Sequence, residues 1–125
     1  MAIIASVCNG HPVGLFECIG DTSNGTVNFD KDVNKVGFDL TVLKCNLEVS
    51  DAPYKIIRYQ HVLYYLRVNY TGTTLEEQVK RCGQPKKIIL EGFSGIFYSH
   101  ISGTPDRIEF QTGTGQWKGV CFNRN

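Results

Sequence analysis

Five cysteines, Cys8, Cys18, Cys45, Cys82 and Cys121, are spread over a chain of 125 residues, and no other feature limits its folding options as much. A domain this small gains about 2 to 4 kcal/mol from each disulfide it closes, and such a density points to an oxidising compartment. The odd count leaves at least one cysteine outside any internal pairing. Zinc does not compete as an explanation, because there is no C-x-x-C and His11, His61 and His100 are scattered along the chain. Two sequons, Asn24-Gly25-Thr26 and Asn69-Tyr70-Thr71, agree with secretion. The opening Met-Ala-Ile-Ile-Ala-Ser is too short for a charged region followed by an apolar one. It therefore reads as a mature chain carrying an added initiator or a signal remnant.

The length suits one domain, which can bury roughly two thirds of its surface around a single core. With 42% hydrophobic and 20% charged residues the chain is neither a disordered tail nor a coiled coil. Its apolar runs are too short to span a membrane. A net charge of +1 supplies no whole-molecule field for nucleic acid, so any phosphate site has to be local.

The pattern along the chain reads as one α+β unit over residues 15–125, preceded by an extension over 1–14. Leu15 to Ile19 has strand composition, and the Asp21 to Gly25 cluster reads as a turn. Phe29, Val33, Val36, Leu40 and Leu43 then recur at helical spacing, which predicts a main α-helix from about Asp30 to Lys44 with Asp30 at its positive end. β-branched and aromatic residues from Tyr54 to Val68 predict two strands. Thr74-Leu75-Glu76-Glu77 matches a capping box and Gly83 a stop, giving a short helix over 75–82. Three more strands are expected, around Lys87 to Leu90, Arg107 to Gln111 and Trp117 to Phe122. One main helix on a central antiparallel sheet is the implied architecture.

No phosphate-loop, dinucleotide, serine-hydrolase or zinc-protease motif occurs. Gly113-Thr114-Gly115 fits a hairpin turn better than a phosphate cradle. The informative stretch is Gly103-Thr104-Pro105-Asp106-Arg107-Ile108-Glu109-Phe110, followed by Trp117-Lys118-Gly119-Val120-Cys121. Together with Tyr59-Gln60-His61 and the order of elements, it resembles the small fungal guanyl-specific ribonucleases. That resemblance places Tyr59 and His61 on the family's tyrosine and first histidine, and Arg107 on its phosphate-binding arginine. Where the family keeps a catalytic glutamate this chain has Lys86 or Lys87, and Asn123 stands in place of the acid histidine. Asparagine cannot donate that proton. Without acid and carboxylate the expected activity falls by orders of magnitude, so the chain is expected to be a pseudo-ribonuclease and not an enzyme.

A ribonuclease-like chain with an emptied site, an aromatic-x-Cys near its start (Phe16-Glu17-Cys18) and a cysteine near its end (Cys121) is similar to the ribonuclease-like effectors of powdery mildew fungi. The resemblance implies a secreted monomer without cofactor, metal or membrane segment. It would act in the host cell cytoplasm by binding a host plant protein or RNA, with an intracellular immune receptor able to detect it. It also implies the pairs Cys18–Cys121 and Cys45–Cys82, with Cys8 left over and Cys8–Cys121 as the alternative.

Lys80, Arg81, Lys86 and Lys87 form the basic cluster. They are either a solvated face or contacts for an RNA backbone. Tyr59 and His61 lie at i and i+2 on one side of a strand, as a packing pair or as a relic nucleotide site, and Arg107 either anchors a loop or binds phosphate. Trp117 and the Tyr64-Tyr65 pair read as packing residues. Two other classes remain open. One is an active guanyl-preferring ribonuclease using His61 and Arg107. The other is a small secreted lectin-like or inhibitor domain, which would lack a helix packed across a central sheet.

Overall fold

A computed structural model describes residues 12–60, 62–83, 86–112, 117 and 119–123, the side chains of 58–59 and 86–89 excepted. Its strands are β1 (Gly14–Cys18), β2 (Ser23–Phe29), β3 (Lys35–Val42), β4 (Cys45–Gln60), β5 (Leu63–Val68), β6 (Gly95–Ser99), β7 (Arg107–Phe110) and β8 (Val120–Asn123). Two short helices, α1 (Leu75–Arg81) and α2 (Lys86–Ser94), lie between β5 and β6. Each strand pairs antiparallel with the next, and β8 returns to β1, so the sheet closes into an eight-stranded barrel.

This corrects the expected architecture. The fold is not α+β with one main helix on a sheet, and it is not ribonuclease-like: 54% of it is sheet and only 12% helix. The segment expected to form the main helix is a turn followed by β3. In β3 the buried residues are Val36, Phe38, Leu40 and Val42, a period of two. The helical stripe accommodates Val36 and Leu40 but leaves Phe38 and Val42 on its wet side, and burying all four apolar residues decides for the strand. Asp30 does accept backbone N–H bonds, from Asp32 at 2.7 Å and Val33 at 3.2 Å. Those bonds hold its carboxyl below the ordinary carboxylate range. The bonding that would cap a helix here closes the β2–β3 turn instead.

Other expectations shift as well. Lys87 to Leu90, read as a strand, belongs to α2, and Ser23 to Gly25, read as a turn, opens β2. The short helix over 75–82 is α1, ending before Gly83 at φ 69°. It has no capping box: Thr74 makes no side-chain cap bond, and its Oγ1 accepts from Gln78 Nε2 at 2.9 Å. The expected turn at Gly113 to Gly115 lies outside the described residues.

The barrel is strongly sheared, and β4 shows how. One row of register partners starts at Gln60 and passes through Leu63, Ser99, Arg107, Phe122, Glu17, Thr26 and Asp39, returning to β4 at Glu48. A closed sheet with tilted strands must return displaced along its starting strand. β4 absorbs the displacement by running for 16 residues, pairing with β3 through Pro53 and with β5 from Tyr54 onward.

The Cys18–Cys121 disulfide crosses the β1–β8 closure, joining residues that are register partners 103 apart in sequence. Cys45–Cys82 ties the start of β4 to the end of α1. The pairing implied by the effector resemblance therefore holds, on a different fold, and Cys8 lies outside the described residues. Two disulfides are the mark of a protein from an oxidising, extracellular setting.

Inward positions fill the barrel. At one end Phe16 meets Phe29 and Tyr98 edge-on, and Phe29 meets Tyr54. At the other, α2 inserts Phe93, stacked on Phe38 at 4.8 Å and edge-on to Phe110, with Trp117 beside both. Leu75 and Val79 of α1 are fully buried in the same cluster. An eight-stranded barrel is about wide enough for side chains to occupy, and aromatic rings occupy this one.

Candidate binding face

Because side chains alternate along each strand, the outer wall is the set of residues left over from the core. On β2, β3 and the first half of β4 that set is polar: Asn24, Thr26, Asn28, Asp39, Thr41, Asn46 and Glu48. The remaining wall differs. On β5, β6, β8 and β1 it presents Leu63, Tyr65, Phe97, Val120, Phe122 and Leu15, with the charged Arg67 and Glu17 among them. Phe122 is 46% exposed, and Ile19, just beyond β1, is 80% exposed. An apolar interior with a half-polar exterior is the reverse of a lipid-facing barrel. No helix among the described residues is long and apolar enough to cross a membrane.

Two concavities lie on the apolar half. A groove of about 730 Å³ runs along β1 and β8, lined by Glu17, Ile19, Asp21, Arg107, Val120 and Phe122, among others. A shelf of about 320 Å³ lies over β5 and β6, lined by Gln60, Leu63, Tyr65, Phe97 and Gln111. Between them β7 presents Arg107 and Glu109, whose Nη2 and Oε1 are 2.8 Å apart.

The residues expected to form a nucleotide site are not brought together. Arg107 stands at the outer start of β7, already engaged by Glu109. Tyr59 lies on β4, with β5 and β6 intervening, which is roughly 14 Å around the wall at the usual strand spacing. Its side chain and all of His61 lie outside the described residues. Lys80 and Arg81 are exposed in the last turn of α1. There they follow Glu76 and Glu77 at i+4, the order that suits both side-chain pairing and the helix dipole. Lys86 and Lys87 begin α2, their side chains outside the described set. Both helices pack where β4 begins and β7 ends, away from Arg107.

A polar cluster that the sequence did not reveal sits at the β6–β7 loop. Asp106 accepts the Tyr98 hydroxyl at 2.7 Å, and its other oxygen is 2.5 Å from His100 Nδ1. Burial, together with the Asp106 carboxylate that accepts its hydrogen bond, pushes the Tyr98 phenol well above its usual range. An Asp–His pair can orient an imidazole for proton transfer, but His100 is 64% exposed. The carboxylate also joins both ends of the loop, so anchoring it is the role this geometry supports. Among the described residues no cluster of three metal-ligating side chains occurs.

Comparison with protein-family models, with curated proteins and with solved structures found no match.

Proposed function

We propose that the protein is a secreted, non-catalytic binding module that engages a protein partner through the groove on β1 and β8. One observation carries this reading: the apolar outer wall around Ile19 and Phe122, rimmed by Glu17, Asp21 and Arg107, set against a polar wall on the far side of the same barrel. Exposed apolar side chains gathered on one face and edged with charge are a usual sign of a protein interface.

The ribonuclease part of the expectation goes with the fold that suggested it. What carries over from the effector reading is the action by binding, and a host plant protein, an immune receptor included, is the first partner class to test. RNA is less well supported, because Lys80 and Arg81 share α1 with Glu76 and Glu77 instead of forming a basic stripe.

The test is capture from leaf extract on immobilised protein, compared between Phe122→Asp and Thr26→Asp. The expected result is that specific capture is lost in the first and kept in the second. Equal capture by both, or degradation of total RNA by the purified wild type, would overturn the reading.

A further inference from the structure

The shelf over β5 and β6 has a chemistry distinct from the groove. We infer that it is a binding subsite for a neutral saccharide, formed by Tyr65, Phe97, Gln60 and Gln111.

Tyr65 and Phe97 are cross-strand partners on the outer wall, their rings 5.0 Å apart and tilted by 42°. Both are half-buried, so each keeps part of an aromatic face in solvent. Sugar rings present C–H-rich faces that pack on such surfaces, as other apolar groups do. Around the rings stand two amides and a phenol, and among the described residues no charged side chain lines the shelf. Glu109, the register partner of Phe97, is held by Arg107.

The polar groups are arranged as a hydroxyl-rich ligand needs. The Tyr65 hydroxyl donates to Gln111 Oε1 at 2.6 Å. This leaves the Gln111 Nε2 donors and the Tyr65 oxygen lone pairs without a protein partner among the described residues. Gln60 is exposed and adds a further donor and acceptor. A sugar hydroxyl both donates and accepts, so vicinal hydroxyls match this mixture. A proline-rich peptide in the same notch, short of backbone N–H groups, offers mainly carbonyl acceptors and would use only the donors.

The arrangement is also held in place. A Cβ on Gly95 would lie 2.4 Å from Gln111 Oε1 and 2.5 Å from the Tyr65 hydroxyl, so only glycine lets the pair form there. The Gln111 N–H donates to the Gly95 carbonyl at 2.8 Å, fixing the backbone beneath it. Such preorganisation lowers the ordering cost of binding.

The experiment is calorimetric titration with cello-, xylo-, laminari- and chito-oligosaccharides, with a proline-rich peptide in parallel. The expected result is saturable binding of at least one oligosaccharide, weakened at least tenfold by Phe97→Ala and by Gln111→Ala, and severalfold by Tyr65→Phe. Near-ultraviolet circular dichroism identifies variants that keep the native fold. Phe122→Asp should leave saccharide binding unchanged, which separates this site from the proposed protein groove. No binding by any saccharide, binding indifferent to Phe97→Ala and Gln111→Ala, or binding of the peptide alone would overturn the inference.

Discussion

The two halves of the barrel wall are built from the same alternating strands, yet they solve different problems. The β2–β3–β4 half is a continuous meander with a polar exterior and very close backbones: Cβ atoms on Gly25 and Gly37 would lie 2.2 Å from the Asp39 carbonyl oxygen and 2.3 Å from that of Ser50. The β5–β8 and β1 half contains the closure, the disulfide across it, and the exposed aromatic and aliphatic residues. The first half is a scaffold whose outer side chains are polar. The second places the exposed apolar residues of the proposed interface beside the closure that the disulfide reinforces.

The largest effect should come from opening that joint. Replacing Cys18 and Cys121 together by alanine removes a link between residues 103 apart, and the chain-entropy relation assigns such a link between 4 and 5 kcal/mol. Chemical denaturation should show a loss of about that size, and hydrogen exchange should rise first in β1 and β8. An equal rise across β2 to β4 would break the distinction between the halves. Losing Cys45–Cys82, with a separation of 37, should cost about 1 kcal/mol less by the same relation.

Next in size is a change confined to the polar half. Gly37→Ala forces a methyl onto the backbone of the neighbouring strand, a steric conflict that should destabilise by about 2 kcal/mol or more. Its melting curve should shift, whereas Thr26→Asp on the same wall should stay within about 0.5 kcal/mol of wild type.

Alkali should act through the interior that both halves share. Burial pushes the phenols of Tyr54, Tyr70 and Tyr98 well above the usual tyrosine value of 10.0. Because the raised value belongs to the folded state, their contribution to stability is complete below about pH 10. It is lost as pH rises beyond that point, where the unfolded chain ionises first. Unfolding above pH 10 should therefore coincide with a cooperative step in tyrosinate absorbance from these three of the chain's six tyrosines. A gradual titration of these residues within an intact fold would contradict the packing described.

The smallest effect on stability, and the sharpest on binding, belongs to the exposed apolar residues. Phe122→Asp should change stability by less than about 1 kcal/mol while removing partner capture, the combination expected of a residue exposed for recognition.

The strands that read correctly from sequence, β1, the second half of β4, β5, β7 and β8, are those in which β-branched or aromatic residues stand out over a short span. β3 did not, because Val36 and Leu40 satisfy a helical and a strand period alike, and only the destination of Phe38 and Val42 separates them. The β3–β4 turn was also unreadable. It uses Leu43 and Lys44 at φ 50° and 68°, where a two-residue hairpin normally calls for asparagine or glycine. Its conformation is imposed from outside, by the Leu43 N–H bond to the Thr22 carbonyl and the disulfide that begins at Cys45. At the candidate sites Arg107 was legible as a cation that either forms an ion pair or binds phosphate, and it pairs with Glu109. The Tyr65–Phe97 shelf was not, since β6 passed unrecognised and Tyr65 then read as packing. Gly95 ahead of Ile96-Phe97-Tyr98 was the available signal, a glycine opening a run in which alternate residues face outward.

The seam disulfide also determines how the protein responds to being cut. Cys18 and Cys121 join the first strand to the last, and nearby Asn123 donates a side-chain hydrogen bond to the Val13 carbonyl at 3.2 Å. The chain from Cys18 to Cys121 is thus a covalent ring as well as a hydrogen-bonded one. A protease that cleaves once in any loop between them produces one linear, still connected molecule instead of two fragments. In a secreted protein, which meets extracellular proteases, a single nick therefore leaves the first and last strands joined.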